Sequence, residues 1–179
     1  RHSIGVPCLP SERELLRWLG ADIVETRKKL REIEERVQQR VEHSPILTRM
    51  SEVLGKISAA VLLAAVGSPQ DYPNAASYTK AIGLNLKERS SGKHKGRLKI
   101  TKRGPSVARF YLYFAALRLV ARDPVVKRWY TIKTNRAGAM KGKTVIELMR
   151  KLAKALWYIA RGDSFETAKL FNLSAVSNA

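Results

Sequence analysis

After residue 90 this sequence holds only four carboxylates, Asp123, Glu147, Asp163 and Glu166. Two-metal phosphoryl chemistry needs clustered acidic side chains to hold the ions that activate attacking and leaving oxygens. No pair among these four suits it: Glu147 reads as a helix cap for Thr144, and the others fall near expected helix ends. The single cysteine, Cys8, excludes an internal disulfide and fits a reducing cytosol, and His2, His43 and His94 are too scattered for a zinc site. The longest apolar stretches, such as residues 59–66, are too short to cross a bilayer. There is no signal-peptide layout, no phosphate-binding P-loop and no dinucleotide fingerprint. Arg1 rather than Met opens the chain, which therefore reads as a piece of something longer.

Positive charge is what the sequence has in excess. Of 179 residues 34 are Lys or Arg and 15 are Asp or Glu, a formal net charge of +19, while 45% are apolar, enough for a sizeable core. Residues 1–90 hold 14 basic and 11 acidic side chains and residues 91–179 hold 20 and 4, so the halves carry +3 and +16. Such an excess in half of a small chain repels itself unless a polyanion neutralises it, and nucleic acid is the commonest such partner. A merely solubilising surface accounts less well for so lopsided a distribution.

Apolar periodicity supplies the scaffold. Leu16, Ile23, Leu30 and Val37 recur every seven residues with Leu19 and Ile33 interleaved, Ser11 and Glu14 read as a capping box, and Pro45 as a stop. This is an amphipathic helix of coiled-coil character, interrupted at Thr26, that either folds back on its own domain or self-associates. Residues 50–66 read as two short helices around Leu54-Gly55-Lys56-Ile57, and residues 75–81 as a short helix closed by Gly83. Gly104-Pro105 starts a strongly apolar helix expected to turn Val107, Phe110, Tyr111, Phe114, Leu117 and Val120 to the core. Asp123-Pro124 starts a segment with Trp129 and Tyr130 in the core, and a last helix runs from Thr144 through Leu148, Leu152, Leu156 and Ile159 to Gly162. The expectation is an all-α fold with basic loops and room for a small β-hairpin arm. It comprises a coiled-coil helix over residues 1–45, a helical domain over 46–171 and a flexible tail over 172–179.

Chemistry concentrates in residues 87–104, where Lys, Arg, Gly, Ser and Thr leave only Leu98 and Ile100 apolar. Ser90-Ser91-Gly92-Lys93-His94-Lys95-Gly96-Arg97 sets two hydroxyls among cations. A serine attacking phosphorus needs a proton acceptor and positive charge to offset the pentacovalent phosphate, and Lys or Arg supplies only the second. His94 offers itself as a base, yet a histidine in a basic loop is more often a phosphate contact, and Ser-Ser-Gly is more often a turn. The candidates for gripping a nucleic-acid backbone are Lys93, His94, Lys95, Arg97, Lys99, Lys102, Arg103 and Arg109 around this loop. Arg136, Lys141 and Lys143 add a second basic stretch, with Arg150 and Lys151 on the exposed side of the last helix.

Gly83-Leu84, Ser91-Gly92, Ile100-Thr101-Lys102-Arg103-Gly104 and Arg109, followed by Gly142-Lys143 and Met149-Arg150-Lys151-Leu152, occur in an order that resembles the C-terminal domain of transposases of the insertion sequence one-ten group. The resemblance covers about residues 50–165, and the preceding helix stands where that family has a coiled coil. It implies a serine nucleophile that forms a covalent phosphoserine link to DNA, matched here by Ser91 with Ser90 as fallback. It also implies an N-terminal RNase H-like domain whose acidic residues bind magnesium, absent from these residues, so that this chain alone is inactive. Further implications are a bridge RNA that pairs with donor and target DNA, an oligomer, and a prokaryotic cytoplasmic setting at the nucleoid. The sequence departs from the family at Lys56-Ile57, where a second glycine is usual, at Leu86, where proline is common, and at Pro105, where asparagine often follows. A related site-specific DNA invertase shares these motifs. A non-catalytic nucleic-acid-binding protein, needing only the basic loops, and an oligomerisation module are the rival readings.

Overall fold

Pro10 has no amide hydrogen to leave unpaired at a helix start, and it opens α1 (Pro10–Glu42) with the Glu12 carboxylate accepting from the Leu9 amide at 2.8 Å. The helix thus begins ahead of the expected Ser11 and Glu14 cap, because proline and Glu12 already satisfy the first turn. The computed structural model describes residues 9–88, 96, 98–136 and 138–171. Only the C-terminal end of α1 reaches the domain: Val41 is buried and Val37 partly so, against the two helices that follow. Leu16, Leu19, Ile23, Leu30 and Ile33 are exposed, so α1 is not folded back along its own domain.

Pro45 opens α2 (Pro45–Leu54), and Gly55, at a φ of 81°, turns the chain into α3 (Lys56–Val66). The Arg118 guanidinium spans that turn, its Nη2 donating to the Leu54 carbonyl at 2.7 Å and to Ser58 Oγ at 2.8 Å. A one-turn 3-10 segment at Pro69–Asp71 leads to α4 (Ala75–Ala81), capped by Asn74, whose side chain accepts from the Ser77 amide. Two short antiparallel strands follow, β1 (Leu86–Lys87) and β2 (Lys99–Ile100), with Leu86 paired to Ile100 and Lys87 to Lys99. Three more helices complete the domain: α5 (Ser106–Arg122), α6 (Pro124–Thr134) and α7 (Lys141–Ala160). The fold is all-α with one small hairpin arm, as the sequence indicates.

The long helix α7 is the centre of the core. Leu148, Leu152 and Leu156 are fully buried among α2, α4, α5 and α6, each contributing about 2 kcal/mol by leaving water. Trp129 of α6 is buried against Phe171, ring centroids 4.7 Å apart, which ties the end of the described chain to the core. Asp123 caps α6, its Oδ1 accepting from the Val125 and Val126 amides, each at 2.9 Å.

Two sequence expectations fail here. On α5 the buried face is Ala108, Leu112, Ala115 and Ala116; of the six expected core residues Tyr111, Leu117 and Val120 are partly buried against the core, whereas Val107, Phe110 and Phe114 are exposed. Small side chains let the neighbouring helices approach closely, and that contact outweighs the larger hydrophobes on the other side. Helix α7 begins at Lys141 rather than Thr144, and Glu147 is not its cap: the carboxylate pairs with Lys133 Nζ at 3.4 Å.

Candidate nucleic-acid interface

The hairpin arm is anchored by a knot of backbone contacts. Gly83, at a φ of 81°, ends α4, and its carbonyl accepts from the Lys102 amide at 3.0 Å. The Thr101 amide donates to the Asn85 carbonyl at 2.9 Å, and Thr101 Oγ1 donates to Asn85 Oδ1. Gly104 lies so close to the end of α4 that a Cβ on it would collide with the Ala81 carbonyl oxygen and stand 2.8 Å from the Ile82 carbonyl carbon. Arg109, from the first turn of α5, secures both sides: its Nη1 donates to the Ile82 carbonyl at 3.1 Å and to the Gly104 carbonyl at 2.8 Å. Between these ties Lys102 adopts a left-handed φ of 57°, a conformation that costs a lysine about 1 kcal/mol and is held by its neighbours.

So anchored, the arm faces the beginning of α7 across a groove of about 620 Å³. Lys99 and Lys102 come to it from the arm, Lys143 and Arg150 from α7, over an apolar floor that includes Leu86, Leu98, Ile100 and Ile146. Glu147 is its one carboxylate among the described residues, and Lys133 offsets that charge. The Nε of Arg150 is buried without a hydrogen-bond partner among the described residues, so this guanidinium has donor capacity to spare. No side chain caps α7, and its first turn carries Lys141 and Lys143 and no acid. The positive end of the helix dipole therefore adds to the four cations. Such a groove favours an anion with several charges in a row, with methylene stems and floor residues excluding water beneath it.

The other sequence candidates are placed less simply. Ser90, Ser91, Lys93, His94, Lys95 and Arg97 lie outside the described residues. Arg103 and Lys141 are exposed and Arg136 is half-buried. Arg109 is committed through Nη1 to the knot. Lys151 is not on an open face: half-buried, it donates to the Leu170 carbonyl at 2.8 Å and lies over the Phe171 ring, 5.4 Å from its centroid. Burial pulls its ammonium below the ordinary lysine range, with Glu147 pulling the other way. Sequence reasoning did not reach Ile146 and Leu86 as groove residues, nor the role of Lys133. No motif marks them, since they matter only because α6, α7 and the arm converge.

Among the described residues no group of three or more His, Cys, Asp and Glu side chains could hold a metal ion, so these residues do not fit a magnesium centre. Nor is any described helix long and apolar enough to cross a membrane.

Residues 47–131 match the model of the Transposase IS116/IS110/IS902 family. The match begins in α2, takes in the knot and the arm, and ends within α6, so these residues form a transposase-family domain consistent with the C-terminal domain of that group. A comparison with curated proteins finds no match.

Proposed function

Taking residues 47–131 as a transposase-family domain, we propose that this chain is the DNA-handling part of a transposase or related recombinase, and that the groove between arm and α7 grips a nucleic-acid backbone. The carrying observation is the meeting of Lys99 and Lys102 with Lys143 and Arg150, segments some forty residues apart in sequence, around one anion-shaped groove. Backbone contacts of this kind position a duplex without reading its bases, which suits a system in which a paired RNA chooses the sequence.

In this reading Ser91, with Ser90 as fallback, attacks the scissile phosphorus through its Oγ, and the 3′ oxygen of the broken strand leaves. The cations offset the added negative charge of the transition state. The acceptor of the serine proton, and magnesium to ease departure of the 3′ oxygen, would be supplied by the acidic RNase H-like domain that the resemblance implies and not by these residues. Lys93, His94, Lys95, Arg97, Arg103, Arg136 and Lys141 extend the gripping surface, the exposed stripe of α1 joins copies into an oligomer, and a bridge RNA is the guiding partner.

Replacing Ser91 with Ala in the protein that carries both domains is the test, with covalent protein–DNA adducts resolved on a denaturing gel and binding measured alongside. Adducts should vanish while binding stays within about twofold, since removing one hydroxyl removes none of the cations that neutralise phosphates. Unchanged adducts exclude Ser91 and pass the assignment to Ser90. If both variants still form adducts, the serine mechanism is wrong.

A further inference from the structure

The groove between the arm and α7 carries more apolar surface than a row of phosphates can use. Leu86 and Leu98 stand 42% and 60% exposed in it, beside half-buried Ile100 and Ile146. A base-paired strand offers such a groove only sugars and phosphates, because each base is stacked on its neighbours and its edges lie in the grooves of the duplex. Lys99, Lys102, Lys143 and Arg150 would then be satisfied and the floor left against sugar and water. A nucleotide whose base has left the stack covers both: its phosphates meet the cations and its flat apolar face lies on the leucines. A cavity of about 620 Å³ is of the size that takes a small molecule, room for a nucleotide and not for a duplex.

The carboxylate in this cationic groove fits the same occupant. Glu147 repels phosphate, and Lys133 engages it only in part: Nζ stands 3.4 Å from both carboxylate oxygens, and the glutamate side chain is 40% exposed. A carboxylate accepts at about four lone-pair positions, so capacity remains for a second donor. The exocyclic amino group of cytosine is such a donor, where thymine presents a carbonyl oxygen at the same place.

We infer that the groove receives one unpaired DNA nucleotide, its phosphates on the four cations, its base on Leu86 and Leu98 and its amino-bearing edge on Glu147. The inference rests on the groove reading proposed above and names what that site holds. Exchange of strands between two duplexes has to unpair bases at the junction, so the proposed reaction itself supplies such a nucleotide. DNA suits the floor better than RNA, since leucine and isoleucine give a 2′-hydroxyl no partner. Among the described residues no aromatic ring lines the groove, so the base is held by aliphatic cover and by Glu147 instead of by ring stacking.

Fluorescence anisotropy on the 179-residue chain tests this with labelled DNA hairpins that are fully paired or carry a single cytosine or thymine bulged from the stem. Leu86 and Leu98 together leave about one leucine side chain to be covered, so the cytosine bulge should bind about tenfold more tightly than the paired stem. It should bind about fivefold more tightly than the thymine bulge. Leu86→Ala with Leu98→Ala should abolish the preference for a bulge while paired binding stays within about twofold, because no cation is removed. Glu147→Gln, whose amide can donate to the thymine carbonyl, should bring the two bulges level. Equal binding of bulged and paired hairpins overturns the inference, and the groove reading still stands if Lys99→Ala with Lys143→Ala lowers the salt slope. If that slope does not move either, both fall. A bulge preference that survives the leucine variant puts the base elsewhere and overturns the inference as well. A preference seen only with the same bulge in an RNA hairpin would make RNA the occupant, again refuting it, and a cytosine preference that persists in Glu147→Gln overturns the contact with Glu147.

Discussion

Removing one groove cation from each basic segment, Lys99→Ala with Lys143→Ala, isolates the claim that both segments hold the same backbone. Each duplex phosphate neutralised contributes about −0.9 to the slope of log K against log salt, so the four groove cations supply about −3.6 and the double variant gives up about 1.8. Between about 50 and about 200 mM salt, four contacts weaken binding about 150-fold and two contacts only about 12-fold. Other cations of the chain add to both slopes alike, so the difference is the measurement. Both lysines are exposed, and their loss should shift stability by no more than about 0.5 kcal/mol. Fluorescence anisotropy with a short labelled duplex at several salt concentrations reads the slopes. Two unrelated sequences should lose affinity equally, because backbone contacts carry no base information. A double variant whose slope stays within about 0.5 of the parent would falsify the groove as a shared binding site.

The knot predicts that Gly104→Ala lowers stability in urea by more than about 2 kcal/mol, since its Cβ would overlap the Ala81 carbonyl oxygen; a loss below about 1 kcal/mol would show that the two backbones can part. Arg109→Met should cost about 1.5–3 kcal/mol by stripping the Ile82 and Gly104 carbonyls of a charged donor, with the salt slope of DNA binding changed by less than one contact. Tyr78 is fully buried, its hydroxyl has no hydrogen-bond partner among the described residues, and burial raises its phenol well above the ordinary value of 10.0. Folding therefore keeps Tyr78 protonated, so its contribution is intact below pH 10 and is lost as the unfolded chain ionises above it. Tyr78→Phe should stabilise the protein by about 1 kcal/mol at neutral pH and flatten the alkaline fall in the urea midpoint. A destabilised variant would mean that the hydroxyl has a partner.

Much of the fold is legible in the sequence because local rules decide it. Asn74 and Asp123 cap their helices through side chains made for the purpose, Gly55 and Gly83 take positive φ where the chain must turn, and Pro45 separates α1 from α2. The two mistaken starts, at α1 and α7, come from the same kind of error. Ser11 with Glu14 and Thr144 with Glu147 have the spacing of a cap, but Pro10 with Glu12 preempts the first pair and Lys133 draws away the carboxylate of the second.

The sequence by itself determined that the chain is helical and that its second half is heavily basic, a charge that calls for a polyanion, because periodicity, caps and charge are properties of residues and their near neighbours. It also gave Gly83 as a helix end and set Gly83 and Gly104 in ordered motifs without showing that their backbones meet. Tertiary structure decided the rest. Helix α5 is apolar around most of its girth, so only the fit of its alanines against α3 and α7 selects the buried face and leaves Phe110 and Phe114 outside. Likewise, Lys99, Lys102, Lys143 and Arg150 become one site only because the knot at Arg109 holds the arm across from α7, a convergence set by packing over long sequence separations.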